Sequence, residues 1–416
     1  MPLRKTERIS YYYLTLLSFD NVFRTQVIGW LNLYREEGLD FHLIKIYPLR
    51  KFFATSNRRR EINEIRKLFD GYLRPVIFFP DWLFLGQLFN AAIIAKYLLP
   101  ELLTKKKIVI VTRSLSLTSP LKLLKLLLPK RLKIIYDSRA AAAEEFHYNN
   151  PHLSEKNERL YRKIQDNENK MIKLSSRVFC VSNALIDYHL HNNPEIDTSK
   201  FILYPCLADS KLFYFNSQER DSIRKRLHIF DRLVLVYSGG LSISWHIPDK
   251  IFGFFKRFKE VYDNAFFLVL TTDFDLIDDL RAKYDLASED IFAAEIDNRE
   301  IRKYLNAADL SLLLREDVPL NNVASPTKFA EYLMCGLPVV ISPNVGDYSR
   351  LVAEKKIGYV YEEDHSAEII RSIINPILNN SEEDKRKTLS DWGIEAFSKQ
   401  SNLQRIIGAY ENIFKE

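Results

Sequence analysis

Apolar residues along the chain fall into two rhythms that alternate. Short apolar runs read as buried strands: Tyr11 to Ser18, Phe41 to Tyr47, Val76 to Phe79, Ile108 to Thr112, Lys133 to Tyr136 and Val178 to Val181. Between them lie helical spacings: Val22 to about Glu37 (closed by Gly38), Leu85 to Leu99, Leu121 to Leu128, about Ser154 to Leu174, and Ala184 to His191. The alternation starts afresh at Leu233 to Tyr237. Strands are expected at Phe266–Leu270, Ile291–Ile296, Leu310–Leu314, Val339–Ile341 and Gly358–Tyr361, with helices at Glu300–Ala307 and, last, Leu403–Phe414. Strand and helix in turn predict doubly wound parallel sheets, which bind ligands outside the carboxyl ends of their strands.

Length turns this repetition into two domains. A chain of 416 residues is long for one core, and two domains of about 200 residues are the natural division. Hydrophobic residues at 47% and aromatics at 13% suffice for two packed interiors. Cys180, Cys206 and Cys335 are widely scattered, which fits a reducing compartment and excludes a disulfide or zinc framework.

Charge is unevenly placed. Residues 1–200 hold 33 Lys+Arg against 20 Asp+Glu, and residues 201–416 hold 27 against 34. A basic first half suits an anionic membrane surface, a phosphorylated acceptor or nucleic acid, or is simply a solvated face. Two stretches are membrane candidates: Asn57 to Lys67, and the basic amphipathic run Leu121 to Lys133. Each cation near an anionic surface adds about 1 kcal/mol there. The second stretch also fits a core helix whose lysines reach water. Nucleic acid is not expected, since no nucleic-acid module is present. No segment is long enough to span a bilayer: the best, Trp82 to Ala95, is bounded by Asp81 and Lys96. A cytoplasmic protein is expected, peripherally attached to a membrane at most.

The most informative stretch is Ser325-Pro-Thr-Lys-Phe-Ala-Glu-Tyr-Leu-Met-Cys-Gly-Leu-Pro-Val-Val-Ile-Ser342. Ser325 is expected to cap a helix with Pro326 at its first position; Gly336 ends it and Val339 to Ile341 follow as a strand. The amides of Thr327 and Lys328 then sit at a helix N-terminus, which favours an anion, and Lys328 adds a full charge. Glu331 lies one turn further along the same face, where a carboxylate can accept hydrogen bonds from ribose hydroxyls. That geometry suits a nucleoside diphosphate; an ordinary capped helix would carry the same residues.

Resemblance decides between the two. "SPTKFAEYLMCGLPVV" resembles the donor signature of retaining family-4 glycosyltransferases with the GT-B fold, in its Ser-Pro-Thr-Lys variant: Glu331, Cys335-Gly336 and Pro338-Val339 match. Many members carry a second glutamate eight positions earlier, where this chain has Val323. Ile134-Ile-Tyr-Asp137-Ser-Arg139, with Glu144-Glu145 beyond, is similar to a pattern of the family's acceptor-side domain, and Arg177 to Leu185 to its strand-Ser-x-x-Leu element. Tyr204 to Asp209, with Phe213, stands in the place of its interdomain turn, so a linker is expected from about Pro205 to Arg232.

The resemblance implies two Rossmann-like doubly wound domains facing across a cleft. Residues 1–205 would bind acceptor, 206–400 would bind nucleotide-sugar, and 401–416 would pack back towards the first domain. Gly239 and Gly240, in the turn after the Leu233 strand, would let backbone amides approach phosphate, or form a plain tight turn. The family often has an arginine and a lysine near this turn; here Gly240 and Trp245-His246 occupy those places. Arg315 and Lys328 are the expected replacements, because a diphosphate without cations would be costly to desolvate. Ile296 to Asn298 would meet the nucleobase through backbone groups.

Asp137 and Arg139 leave a strand at its carboxyl end, either to orient an acceptor hydroxyl and the leaving phosphate or to form a local ion pair that shapes the loop. His147 and His152 show no metal or nucleophile spacing and are expected in loops. Asp273-Phe-Asp275 reads as a helix start; no metal and no cofactor are expected, the nucleotide-sugar being a substrate.

The expected activity is therefore transfer of a sugar, with retention, from a nucleotide-sugar donor to a saccharide or lipid-linked acceptor in surface-polysaccharide assembly. Catalytic roles fall to Asp137, Arg139 and Glu331, and donor binding to Gly239, Gly240, Ile296, Arg315, Ser325, Thr327, Lys328 and Glu331. The rivals are a sugar-nucleotide epimerase or hydrolase of similar fold, and a degenerate nucleotide-binding protein without activity.

Overall fold

The computed structural model describes residues 9–49, 58–80, 84–151, 154–242, 246–362, 366–379 and 383–415. Asn57, Trp82, His152 and Trp245, singled out above, lie outside them. The chain divides into two units, residues 1–181 with 185–204 and 403–416, and residues 182–184 with 205–402.

The first unit is built on seven parallel strands: β1 (Ile9–Thr15), β2 (Phe41–Pro48), β3 (Tyr72–Phe78), β4 (Lys107–Thr112), β5 (Leu132–Ser138), β6 (Arg177–Cys180) and β7 (Phe201–Leu203). Their order is β3-β2-β1-β4-β5-β6-β7. The second holds β8 (Leu233–Ser238), β9 (Ala265–Leu270), β10 (Ile291–Ala294), β11 (Leu310–Leu313), β12 (Val339–Ile341) and β13 (Gly358–Val360), in the order β10-β9-β8-β11-β12-β13. Each sheet thus reverses its winding between its first and fourth strands, β1 and β4 or β8 and β11. These are the doubly wound domains the alternation predicts, and such sheets bind their ligands at the reversal.

Burial on both faces explains the continuous apolar runs. All six residues of β8 and all six of β9 are buried. The helix Pro248–Val261 lays Phe252, Phe254, Phe255 and Phe258 on this sheet. Phe255 stacks on Phe267 with ring centroids 4.9 Å apart.

The differences from the sequence reading have physical causes. β3 starts at Tyr72 rather than Val76, because it is an edge strand and Pro75 needs no second ladder partner there. β10 stops at Ala294, two residues short of Ile296. The three-residue β7 is too short to show a period. The expected linker contains a helix, Ser217–Arg226, capped by the Asn216 side chain, which accepts from the Glu219 amide at 2.9 Å. It is polar along most of its length and is held by ion pairs from Arg220 (2.5 Å) and Arg224 (3.1 Å) to Asp309. His147 lies in the helix Ala142–Asn149, not in a loop.

Residues 403–416 pack on the first unit through Ile406, Ile407, Tyr410 and Ile413. The Tyr410 ring meets those of Tyr34 and Phe41 edge-on, at 5.3 and 5.5 Å. Both candidate membrane stretches contain helices, Arg58–Leu68 and Thr118–Leu127. In the second, Leu121 and Leu124 are buried while Leu126 and Leu127 are 69% and 77% exposed, so one helix serves core and surface. No described helix is long and apolar enough to cross a membrane.

Candidate active site

At the reversal point of the second sheet, β8 and β11 lie side by side. β8 delivers Ser238, Gly239 and Gly240; β11 delivers Arg315, whose amide donates to Ser342 Oγ at 2.8 Å beyond β12. The helix Thr327–Met334 adds Lys328 and Glu331. Tyr332, on its buried face, fastens it to β8 by accepting from the Ser238 amide at 2.9 Å. Its far end closes as expected: Gly336 has φ +70°, its amide donates to Leu333 O at 2.8 Å and the Leu337 amide to Tyr332 O at 3.0 Å.

The near end departs from expectation. Helical residues begin at Thr327 and Pro326 takes the capping position with no side-chain cap. Ser325 is one residue too far out to reach the first amides. Its hydroxyl instead pairs with Tyr348 Oη at 2.7 Å and accepts from the Cys206 amide at 3.0 Å. Stacking of Phe329 on Tyr348, with centroids 4.1 Å apart, steadies the same end. The amides of Thr327 and Lys328 therefore take part in no hydrogen bond among the described residues, and they carry the positive end of the helix dipole.

Lys328 and Arg315 dominate the local electrostatics. The ammonium of Lys328 sits over the Tyr237 ring, 4.8 Å from its centroid. It also lies against Gly239 (φ +132°), where any Cβ would overlap it. Arg315 donates to Asn321 Oδ1 at 3.0 Å, and its buried Nε has no partner among the described residues. Neither cation has a carboxylate within ion-pair distance among the described residues. Burial and then the charge of Arg315 push Lys328 down to about 7, and burial pushes Arg315 down to about 10. Burial raises Glu331 to about 7 against the pull of Lys328 and Lys399. Surroundings that suppress two cations and make no salt bridge to either among the described residues are complementary to an anion.

The glycine turn plays a different part from the one expected. The Gly239 amide is already bound to Leu270 O at 2.8 Å. Past Gly240, the amides of Leu241 and Ser242 donate to Asp273 Oδ2 at 2.5 and 2.8 Å. The Ser242 bond chiefly holds that carboxyl below its usual range. Gly240 O accepts from Tyr237 Oη at 2.8 Å and pairs with His246 Nδ1 at 2.7 Å. Burial, Lys328 and Arg315 depress His246 to about 3, so its ring is neutral. Gly239 serves the site by making room for Lys328 rather than by offering its amide. Ile296 lies partly buried two residues beyond β10, at the same edge of the sheet. Val323 is buried.

In the first unit, Asp137 and Arg139 do come together, with a third residue the sequence reading missed. Asp137 is 3% exposed and pairs with Arg139 Nε at 2.6 Å and Arg113 Nε at 2.7 Å. Tyr13 Oη donates to it at 3.3 Å. Burial alone would raise this carboxyl, but the two guanidinium groups hold it below its ordinary value. Arg139 also donates to Tyr204 O at 3.3 Å, with its guanidinium 4.4 Å from that ring centroid. Arg113 was detectable as the first residue after the apolar run Ile108–Thr112, the position by which Arg315 was picked out.

Residues 219–395 match the family model for glycosyl transferases group 1. No protein of curated function matches the chain in sequence. Among solved structures, HepE of Anabaena in complex with UDP-glucose is similar at TM-score 0.67 and 14% identity, over 97% of this chain and 99% of that one. A glycosyltransferase from Rickettsia africae aligns at TM-score 0.69 and 13% identity, over 98% and 99%. WaaG, a glycosyltransferase involved in lipopolysaccharide biosynthesis, aligns at TM-score 0.58 and 14% identity, over 92% and 94%. The fold is GT-B. Within it, the group 1 match covers β8 to β13 and both cations, Arg315 and Lys328, while β1 to β7 lie outside the match.

Proposed function

We propose that this GT-B protein is a retaining glycosyltransferase that transfers a hexosyl group from a nucleotide-sugar donor to a saccharide or lipid-linked acceptor. One observation carries the reading: Arg315 and Lys328, neither with a carboxylate partner among the described residues, stand at the reversal point of the second sheet beside the unbonded amides of Thr327 and Lys328. A diphosphate supplies the missing negative charge. Glu331, one turn along, accepts from the ribose hydroxyls.

In the reaction the bond from the anomeric carbon to the β-phosphate oxygen breaks and a bond from the acceptor oxygen forms on the same face. The acceptor's proton passes to the departing phosphate. Charge growing on that oxygen meets a helix terminus and two cations already in place, so little reorganisation is needed. Asp137 and Arg139 are assigned to the acceptor side; with both oxygens of Asp137 engaged by guanidinium groups, its role is to hold Arg139 and Arg113 rather than to take a proton.

Surface-polysaccharide assembly at the cytoplasmic face of a membrane fits the basic first half and the exposed Leu126 and Leu127. Vesicles containing anionic lipid should retain the protein at low salt, and leave it in solution when both leucines are changed to serine.

The central test is a thermal-shift screen of UDP- and GDP-sugars with the wild type and the Lys328→Met variant, since ligand binding raises apparent stability by mass action. UDP-glucose is the first probe because HepE was crystallised with it. A shift that the variant loses, followed by NMR of the product showing the donor's anomeric configuration kept, is expected. No shift with any nucleotide sugar, or one indifferent to Lys328, would remove the donor assignment. Rapid donor breakdown without acceptor would favour the hydrolase reading.

A further inference from the structure

At the opposite edge of the second sheet, where the strands begin, lies a groove of about 1120 Å³. Leu233, Asp309, Pro338 and Gly358, at or just before the first residues of β8, β11, β12 and β13, line its floor. It is therefore at the far end of the strands from Arg315 and Gly239.

Its charge is unlike that of the chain around it. Residues 201–416 are acidic, yet seven Lys or Arg side chains line the groove against four Asp or Glu. Arg232 is paired with Asp290 behind the lining, while Arg220, Arg224 and Arg386 are grouped around one carboxylate. Asp309 is already shared by Arg220 and Arg224. Arg386 lies over the Phe215 ring and, among the described residues, donates only to carbonyls: Asn306 O at 3.2 Å, Ala308 O at 2.7 Å and Cys335 O at 3.1 Å. Burial, together with the neighbouring guanidinium groups, pushes it down to about 9. The carbonyls take up its two terminal nitrogens, its buried Nε has no partner among the described residues, and the nearest acid acting on it, Asp309, is already bound by two other arginines. Lys355 and Lys356 stand exposed at the rim, and Tyr262, Tyr359 and Trp392 supply apolar walls.

We propose that this groove is a second binding site, separate from the donor crevice, for a phosphate ester carrying a ring. The excess of cations calls for a multiply charged anion, and a phosphate monoester brings a charge of about −1.5 to −2 at neutral pH. The volume exceeds what free phosphate needs and lies just above the usual span of small-molecule sites, roughly 300–1,000 Å³. Aromatic walls suit the flat face of a ring.

Phenyl phosphate, which joins such a dianion to a ring, is the probe. Calorimetric titration of the full chain is expected to show binding that Lys328→Met leaves unchanged. The triple change Lys355→Glu, Lys356→Glu and Lys385→Glu should weaken it at least tenfold. All three side chains are exposed, so the fold should persist, which circular dichroism and an unaltered UDP titration would confirm. Absence of binding, its loss in Lys328→Met, or indifference to the triple change would each overturn the proposal. A failed UDP titration with rim-dependent phenyl phosphate binding would refute the donor assignment and leave the groove standing.

Discussion

The two units wind their sheets in the same order and place arginines just past corresponding strands, yet they handle those charges in opposite ways. After β4 and β5, Arg113 and Arg139 close on the buried Asp137, with contacts at 2.7 and 2.6 Å. After β11, Arg315 meets an amide oxygen, and its neighbour is another cation. A paired cluster holds its own loops together: the one carboxylate is shared by two guanidinium groups and fixes both in place. An unpaired one waits for a ligand. Position at a strand end is thus shared by both, and the presence or absence of an internal counter-ion separates scaffold from site.

The comparison can be broken at either end. The largest effect is expected from Asp137→Ala, which strands two buried guanidinium groups; breaking a buried pair in this way costs roughly 3–5 kcal/mol. Urea unfolding should show it, and a loss below about 1 kcal/mol would mean that the cluster is not structural. Lys328→Met should do the reverse. Folding stability should hold or rise, because a suppressed ammonium with no salt bridge is removed, while UDP affinity should fall about 10- to 100-fold with the loss of a charge-assisted contact worth roughly 1.5–3 kcal/mol. Equal losses in both variants would erase the distinction between the units.

A pH series sharpens it further. Lys328 sits near 7 without ligand, and a bound diphosphate favours its charged form. Above pH 7 binding must therefore take up a proton, so affinity should fall as pH rises, by about tenfold per unit at most. Calorimetry of UDP between pH 7 and 9 should show this slope in the wild type and not in Lys328→Met; there Glu331, released from the pull of Lys328, titrates higher, and its ionisation tilts affinity the opposite way. The smallest change is Ser325→Ala, which removes the bonds to Tyr348 and Cys206 rather than a helix cap. It should cost about 1 kcal/mol of stability, with UDP affinity within about twofold; a larger affinity loss would return Ser325 to the donor site.

Much of this was readable in the chain, unevenly. The Ser325 stretch could be parsed because its helix, Gly336 turn and β12 are specified by adjacent residues. Arg315 could be nominated because it ends an apolar run. The polar helix Ser217–Arg226 escaped, although Asn216 and Glu219 carry a capping pattern, because its anchor Asp309 lies far along the chain. Gly239 signals a close approach in the sequence, but only the packed structure shows that Lys328 lies against it while its amide is bound to Leu270 O.

The sequence by itself determined the alternation of strands and helices, the two doubly wound sheets and the residues at their strand ends, since periodicity and turn chemistry act over a few neighbours. Only the tertiary structure decided which charges are neutralised. Asp137 finds Arg113 24 positions away, Asp309 finds Arg220 across 89, and Lys328 and Arg315 find no carboxylate among the described residues. Electrostatic energy depends on distance through space and on burial, and neither is written in the order of the residues.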